Sequence, residues 1–506
     1  MRTCLPCLSL LLFASPCAAQ IALGPADDVE GALNALSPGD EVVLADGTYE
    51  LDERFSFTAV GTEAAPIVIR AADGATAHFH RPNASQNIWD VENAEHVVIR
   101  GLAFSGGSAG LRISGATSLT IEGCEIFDTA DVALRMNDSG VTYADVTIRE
   151  NHIHDTGGTG EGMYLGCNED DCRIAGGLVE GNYVHHTNAG DVSQGDGIEL
   201  KEGSHGVVIR DNVIHDTNYP CLLGYGTVGN GEPNVVERNV MWACGNHGIQ
   251  WAADAILRNN IVLGASANGI ASQPHQSESP SDLVIVHNTV LAPSNDALSV
   301  RNASGTVTVA NNALYAQSGR AILVRGDASE VTVAGNVGVG SLEGVSGGFT
   351  DGDRSTDFVD ARFGGGVPND VFPAAGGGLV GAGDAAHVVS DDFNGVSRMG
   401  VADVGAYAFG DGSNPGWTLA EDFKGETETP TPGTDAGVPP TDGGTGGADA
   451  GAAPGADGGA AGRDGGPDEG EDDGCGCRSA GSGRGPTAPL ALLASAALLW
   501  WRRRAP

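Results

Sequence analysis

A lysine and a glutamate in the middle of the chain are residue types that proton transfer requires. Lys201 is one of only two lysines among 506 residues, the other being Lys424, and it follows closely after Glu199. A lysine whose pKa is lowered can act as a base, whereas an arginine cannot lose its proton at ordinary pH. Lys201 is therefore a candidate catalytic base, and the alternative is an ordinary surface lysine.

Acidic side chains surround this lysine in the sequence. Glu161, Asp191, Asp196 and Glu199 supply hard oxygen ligands of the kind that Ca²⁺ binds, and residues 169–171 add further acids. We expect Glu161 to lie over Asp196 in adjacent coils of a repeat. These four residues are the predicted ligands of a Ca²⁺ cofactor, and the alternative is a solvated acidic loop.

The repeat that positions these residues is marked by recurring asparagines, each next to an apolar, alternating strand pattern. They follow one another at intervals of 21 to 31 residues: Asn151, Asn182, Asn212, Asn239, Asn260, Asn288, Asn312 and Asn336. Asparagine tolerates a left-handed backbone, and its amide can bond to the same residue one coil away. The pattern predicts an all-β fold, a right-handed parallel β-helix over residues 25–409, with a short capping helix at 27–36.

Aligning the strands after these turns predicts which side chains face outward, because strand residues alternate between the two faces. Those expected to point inward are Leu111, Leu134, Met163, Ile198, Ile249 and Leu298. The outward row is Arg112, Arg135, Tyr164, Glu199, Gln250 and Ser299, and a second row holds Asn137, Lys201, Arg301 and Tyr225.

This outward face combines basic groups with aromatic rings, which suits an anionic sugar polymer. Lys201 and Arg135 are the candidate catalytic residues. Substrate contacts are predicted at Arg112, Tyr164, Tyr225, Gln250 and His247.

The overall charge restricts the class of partner. The formal net charge is -40 and the isoelectric point is about 4.4. Such a surface repels nucleic acid and anionic lipid, so neither is expected to bind. We expect a monomer whose partner is an acidic, uronic acid-containing polysaccharide.

The sequences at both ends of the chain are typical of targeting segments. Residues 1–19 have the basic start, apolar run and small residues of a secretory signal peptide. Residues 410–474 are rich in Gly, Pro, Thr and Asp, which predicts a disordered linker. Residues 475–506 combine Cys475 and Cys477 with a short apolar run and an arginine cluster, which predicts a membrane anchor.

Histidines and cysteines form two further patterns. His154, His185 and His215 recur beside the asparagine turns, where we expect a turn-side ladder with Asp155 and Asp216; aligned imidazoles could also bind a metal. An exported protein permits disulfides. The candidate pairs are Cys167–Cys172 and Cys221–Cys244.

Several segments resemble known families. Residues 37–51 and 61–74 are similar to the first coils of β-helix polysaccharide lyases, and residues 392–409 resemble the closing segment of bacterial parallel β-helix proteins. The order of elements in residues 475–506 resembles the C-terminal sorting signal of myxobacteria. That resemblance implies processing near the two cysteines and display at the cell surface, and an ordinary tail anchor is the alternative.

The residues around Lys201 resemble active-site segments of this fold without matching one family. Alginate lyases and chondroitinase B-like lyases use a Lys and an Arg on such a face, with acidic Ca²⁺ ligands, and residues 199–201 are similar in kind. The spacing differs, and the downstream Arg-His motif of those enzymes is missing here. Pectate lyases of the same fold place a Lys near Asp-Gly, as residues 193–201 also do.

Three functions follow as alternatives. The first is a Ca²⁺-assisted lyase that cleaves acidic polysaccharide by β-elimination, with Lys201 as base and Arg112 or Arg135 holding carboxylates. The second is a non-catalytic surface protein that binds glycans through the same face. The third is a glycoside hydrolase using two of Glu161, Asp196 and Glu199 as its paired carboxylates.

Overall fold

The computed structural model describes residues 19–425, whose strands wind into a parallel β-helix. The predicted all-β solenoid is confirmed. Residues 1–18 of the predicted signal peptide, the linker after residue 425 and the predicted anchor lie outside the described residues.

Short strands of three to eight residues dominate, and two longer ones, of 12 and 13 residues, run around a corner of the coil. The strands of the first half, in chain order, are β1 (Gln20–Leu23), β2 (Glu41–Leu44), β3 (Gly47–Glu50), β4 (Ser56–Val60), β5 (Ile67–Ala71), β6 (Ala77–Arg81), β7 (Trp89–Arg100), β8 (Leu102–Gly106), β9 (Leu111–Ile113), β10 (Ala116–Glu122), β11 (Glu125–Thr129), β12 (Leu134–Met136), β13 (Thr142–Arg149), β14 (His152–Thr156), β15 (Met163–Leu165), β16 (Arg173–Glu180), β17 (Tyr183–Thr187) and β18 (Ile198–Leu200). Those that follow are β19 (His205–Arg210), β20 (Val213–Thr217), β21 (Leu222–Gly224), β22 (Asn234–Glu237), β23 (Val240–Cys244), β24 (Ile249–Trp251), β25 (Ala255–Arg258), β26 (Ile261–Ala265), β27 (Ile270–Ser272), β28 (Leu283–Val286), β29 (Thr289–Ala292), β30 (Leu298–Arg301), β31 (Val307–Ala310), β32 (Ala313–Arg325), β33 (Val331–Ala334), β34 (Asn336–Glu343), β35 (Phe349–Asp351), β36 (Phe358–Asp360) and β37 (Asp370–Pro373). The α-helices are α1 (Val29–Leu33) and α2 (Arg354–Asp357), and single 3₁₀ turns occur at Asn168–Asp170 and Ala385–His387.

From β8 to β31 every third strand pairs in parallel, so the solenoid has three faces. Sheet A runs through β9, β12, β15, β18, β21, β24, β27 and β30. Sheet B runs through β10, β13, β16, β19, β22, β25, β28 and β31. Sheet C runs through β11, β14, β17, β20, β23, β26 and β29.

The eight asparagines form the predicted ladder at the corner between sheets B and C. All are fully buried, and each side-chain amide donates to the Oδ1 of the next at 2.9–3.0 Å. The left-handed residue is the one before the ladder asparagine, as at Glu150, Asp211 and Arg238. The asparagine is therefore required for its amide and not for a left-handed backbone.

The N-terminal end of the solenoid is closed as predicted. The Asp28 side chain caps α1, whose Val29 and Leu33 are buried. The coils begin earlier than expected, because β1 pairs with β2 ahead of residue 25.

The C-terminal part of the described chain covers the outside of sheet C. An apolar cluster joins Val213, Val240 and Ile261 of sheet C to Phe393 and Tyr407 of the predicted closing segment. Inside that segment the buried Arg398 donates to several backbone carbonyls, which holds its turns together.

Residues 410–425, assigned to the linker from their composition, pack onto this cover. Trp417, Leu419 and Phe423 pack against the apolar cluster, and the buried amine of Lys424 donates to Asp211 Oδ1 at 2.7 Å and to the carbonyl of Phe393 at 2.5 Å. A prediction from amino-acid composition alone cannot detect a single specific contact of this kind.

Both candidate disulfides form, Cys167–Cys172 and Cys221–Cys244, and the remaining cysteine of the described chain, Cys124, is buried and free. Among residues 19–425, no helix is long and apolar enough to span a membrane.

Candidate functional site

The predicted outward row lies along sheet A. Two coils that were missing from the sequence alignment also contribute a residue to this row. Register places Arg112 beside Arg135, then Tyr164, then Glu199. The next position is Leu223, and Gln250 follows one coil later. Ala271 separates Gln250 from Ser299 in the same way. Polar groups therefore concentrate between Arg112 and Lys201.

Three of the four predicted Ca²⁺ ligands come together on two adjacent coils. Glu161 precedes β15, Asp196 precedes β18 and Glu199 lies within β18; the amide after Glu161 donates to the Asp196 carbonyl, so the two acids stack as expected. One carboxylate oxygen from each lies within 4.8 Å of the others. All three residues are 1% exposed.

Each of these carboxylates has one buried oxygen without a hydrogen-bond partner: Glu161 Oε2, Asp196 Oδ1 and Glu199 Oε2. An unpartnered buried charge is costly unless a proton or a cation compensates it. Ca²⁺ binds oxygens at about 2.4 Å, so two of its ligands lie at most about 4.8 Å apart. The cluster therefore fits a hard divalent cation by donor type and by spacing.

The fourth predicted ligand, Asp191, lies apart from the cluster. It is exposed, in the loop between β17 and β18. Asp196, next to β18, is buried, whereas Asp191 stays at the solvent-exposed part of the loop.

The electrostatics of the cluster follow from its burial. Burial and the neighbouring Glu199 carboxylate raise the pKa of Glu161 to about 7. The same causes, with Glu161 added, raise the pKa of Asp196 well above its usual range. Without a cation, these two groups therefore tend to hold protons near neutral pH.

Lys201 is buried beside the cluster and paired with it. Its Nζ contacts Glu199 Oε1 and donates to the Tyr225 hydroxyl at 3.3 Å, and that hydroxyl donates to Glu199 Oε1 at 3.1 Å. The rings of Tyr164 and Tyr225 lie 4.5 and 5.0 Å from the amine. His275, on the loop after β27, places Nε2 3.1 Å from the Tyr225 hydroxyl.

The pKa of Lys201 shifts opposite to the direction that a base requires. Burial acts to lower the pKa of Lys201, but the Glu199 carboxylate outweighs it, and the net pKa lies well above its usual value. Lys201 therefore rests as an ammonium ion. The sequence could not show this, because it does not reveal that the side chains of Glu199 and Lys201 touch.

The two arginines of the row already have acidic partners. Arg112 donates to Asp138 Oδ1 at 2.6 Å, and Arg135 lies 3.6 Å from Asp131 Oδ2. Arg135 also donates to Asn87 at 3.3 Å, and its Nε has no partner. About a quarter of each side chain is exposed, so both arginines can be reached from solvent.

The remaining predicted contacts, Gln250 and His247, are buried. His247 accepts a hydrogen bond from the Asn268 amide at 3.1 Å, and burial lowers the pKa of His247 to about 4. It is therefore a neutral group within the wall of the solenoid.

Two residues near Lys201 were missed, the buried Glu202 and the partly buried His275. Glu202 directly follows the lysine and accepts a hydrogen bond from the Ser277 amide at 3.2 Å. His275 lies on the same loop as Ser277 and carries no signal in the sequence, because its distance from Lys201 along the chain hides the contact. This loop, over β27 to β28, covers one side of the site.

The convergence of the carboxylates distinguishes among the chemical alternatives. A glycoside hydrolase holds two carboxylates on opposite sides of the scissile bond, about 5–9 Å apart. Here three carboxylates converge on one point with their free oxygens together. That geometry favours a cation site over a glycosidase pair.

Comparisons with known proteins agree with the architecture. A profile of the chondroitinase B family matches residues 24–114, which end before the acidic cluster. No curated protein sequence matches the chain. XylC, solved in complex with xylose, is 8% identical with a TM-score of 0.51, covering 77% of this chain and 98% of its own.

Two lyases match with lower TM-scores. An alginate lyase from Paenibacillus sp. is 20% identical, with a TM-score of 0.39, and the match covers 66% of this chain and 98% of that chain. Pectate lyase Pel9A is 15% identical, with a TM-score of 0.48, over 77% of this chain and 96% of that chain. At these identities the likeness concerns the fold alone.

The profile of the right-handed β-helix region matches residues 77–183 and 162–337. Together these ranges span more than half of the chain and contain the acidic cluster and Lys201. Since the stacked parallel strands and the asparagine ladder occupy the same residues, the chain belongs to the right-handed β-helix family.

Proposed function

We propose that this protein is a lyase that cleaves uronic acid-containing polysaccharide by β-elimination on the sheet A face, assisted by Ca²⁺. The observation that supports this most is the set of three buried carboxylates with unpartnered oxygens beside Lys201. Glu161, Asp196 and Glu199 would hold the cation, which supplies charge neutralisation for a substrate carboxylate.

In this proposal, the two arginines orient the substrate. Arg135 and Arg112 lie one and two coils before Tyr164 along the row, so their guanidinium groups follow the polymer direction at about 5 Å per coil. An acidic polymer replaces Asp131 and Asp138 as their partner. A guanidinium can bind a carboxylate through two hydrogen bonds, which favours uronates over neutral sugars.

Lys201 transfers the proton. In β-elimination the proton on C5 leaves, a double bond forms between C4 and C5, and the bond from C4 to the glycosidic oxygen breaks. Lys201, as the free amine, takes the C5 proton, and the resulting ammonium protonates the leaving oxygen, so protons balance. Because Lys201 rests as an ammonium paired with Glu199, it has to release a proton to solvent before the reaction.

Access to the amine is restricted. The Lys201 side chain is only 5% exposed, and the rings of Tyr164 and Tyr225 cover it. The polymer therefore reaches Nζ only after one of these rings turns aside. Slow turnover on long polymers and faster turnover by Tyr164→Ala are expected from this arrangement.

A conservative exchange at Lys201 tests the proposal. Wild-type protein is incubated with alginate, pectate or chondroitin sulfate, with Ca²⁺ or with EDTA, and the ultraviolet absorbance of the unsaturated product is followed. Lys201→Arg retains a cation for Glu199, so the fold should persist, but arginine cannot accept the proton. Product release by wild type that is lost in Lys201→Arg and in EDTA is the expected result.

The burial of the Lys201–Glu199 pair also supports a second function, non-catalytic glycan binding. In that case the pair is structural and the exposed arginines bind the polymer. Polyuronate binding that Arg135→Ala weakens and Lys201→Arg leaves intact, with no unsaturated product from any substrate, assigns the protein to this function and refutes the lyase.

A further inference from the structure

A second group of potential metal ligands lies on the outer surface of sheet C, away from Lys201. Glu125 on β11 pairs with His152 on β14, and His154 follows two residues later on the same face of that strand. The three side chains are 45%, 29% and 14% exposed, so an ion can reach them from solvent.

The spacing of these atoms matches a small transition-metal ion. Glu125 Oε1 lies 3.6 Å from His152 Nδ1 and 3.4 Å from His154 Nε2. A tetrahedral ion with bonds of about 2.0–2.1 Å holds its ligands about 3.3 Å apart. The trio therefore needs only small side-chain movements to coordinate one ion.

The other nitrogen of each imidazole is already held. His154 Nδ1 lies 2.7 Å from Asp155 Oδ2, and His152 Nε2 lies 2.8 Å from His185 Nε2. Since a carboxylate only accepts, His154 carries its proton on Nδ1 and, when neutral, points the lone pair of Nε2 at Glu125. The Nε2 atom of His154 and the Glu125 carboxylate are then two hydrogen-bond acceptors that face each other, and a cation bound between them removes their repulsion.

This arrangement is the usual one around metal-bound histidines, whose second nitrogen donates to a carboxylate or another acceptor.

We propose that Glu125, His152 and His154 form a binding site for a divalent transition-metal ion of the Zn²⁺ class, oriented by Asp155 and His185. Imidazole donors select Zn²⁺, Co²⁺, Ni²⁺ or Cu²⁺ over Ca²⁺ and Mg²⁺. The site is therefore chemically distinct from the carboxylate cluster on sheet A, and each can be loaded without the other.

The test uses the full chain treated with EDTA and dialysed. Co²⁺ is titrated while the visible d–d absorbance is recorded, and Zn²⁺ affinity is measured by displacement of Co²⁺. We expect one equivalent of Co²⁺ with the intense bands of a four-coordinate ion. Glu125→Gln and His154→Gln should each weaken binding at least tenfold, and Asp155→Asn about tenfold.

His186→Gln is the matched control, because His186 contacts the same histidine ladder without belonging to the trio. It should leave the Co²⁺ spectrum and affinity unchanged. Glu125 is half exposed, so Glu125→Gln should fold even where a histidine exchange does not.

Several results would overturn the site. One is the absence of saturable Co²⁺ absorbance in wild type, which would leave His154 as a hydrogen-bonding partner of Glu125 and Asp155 only. Another is Zn²⁺ binding that Glu125→Gln does not weaken. Co²⁺ binding that Ca²⁺ displaces at equal concentration would assign the ion to the sheet A cluster instead.

Discussion

Neutralising one carboxylate of the sheet A cluster should stabilise the cation-free protein and weaken its response to Ca²⁺. Glu161→Gln keeps the shape of the side chain and removes its charge. The pKa of Glu161 is about 7 in the folded protein against an ordinary 4.5. Because each pH unit is worth about 1.4 kcal/mol, ionised Glu161 costs about 3 kcal/mol of folding free energy.

The sign follows from proton binding. Between pH 4.5 and about 7 the folded protein holds a proton on Glu161 that the unfolded chain has lost. The free energy of unfolding therefore falls as pH rises through this range, and the cost is complete above pH 7. Glu161→Gln should flatten this fall and be the more stable protein at pH 8 in EDTA.

Ca²⁺ should narrow this difference in stability. Wild type gains about 2.7 kcal/mol when free Ca²⁺ is a hundredfold above its dissociation constant, because the ion binds only the folded cluster. Glu161→Gln has lost one charged ligand and should gain much less.

Thermal melts followed by circular dichroism, at one scan rate and at pH 8, provide the assay. About 3 kcal/mol over about 400 ordered residues corresponds to about 4 °C in melting temperature. Asp191→Asn is the matched control, since Asp191 is exposed outside the cluster, and it should change neither melt. A Glu161→Gln protein that melts below wild type in EDTA, or that Ca²⁺ stabilises equally, would refute the reasoning.

Three further predictions concern other parts of the solenoid. Asn239→Ala should destabilise the fold by about 3–5 kcal/mol in urea titrations, because the buried Ile209 carbonyl and the buried backbone amide of Asn212 lose the Asn239 side chain as partner, and the Asn212 side-chain amide keeps only the Val179 carbonyl. An unchanged midpoint would count against the ladder as a source of stability. His247, whose pKa is lowered to about 4 by burial, makes unfolding easier as pH falls from 6.5 towards 4, since the unfolded chain gains the proton first. His247→Gln should reduce that acid slope in melts between these pH values, and an unaltered slope would show that other groups govern it. Lys424→Ala should release residues 410–425 to limited proteolysis at unchanged solenoid melting temperature, because the buried amine is their anchor, and cleavage no faster than in wild type would contradict this.

The sequence alone was sufficient for features that repeat. The spacing of the asparagines and the alternation of the strands predicted the solenoid, the ladder and the stacking of Glu161 over Asp196, because identical positions in successive coils must lie in register. Both disulfides were anticipated for a related reason, since their cysteines flank a single loop or lie on neighbouring coils.

The tertiary structure decided what depends on contacts between unlike positions. Asp191 was assigned with the other acids, and only the path of its loop separates it from them. The composition of residues 410–425 predicted a linker, and the contact of one lysine with Asp211 in the folded chain was not predictable from it. His275 reaches the site through a loop whose sequence has no repeat pattern.

The protonation state of Lys201 shows most clearly which properties the sequence determines and which the tertiary structure decides. Composition identifies the lysine as unusual, but the sign of its pKa shift is the balance between burial, which disfavours the ammonium, and the Glu199 carboxylate, which favours it. That balance depends on distances of a few ångströms and on exclusion of water. Sequence spacing fixes which coil carries each charge, and only the folded chain fixes how near the charges come.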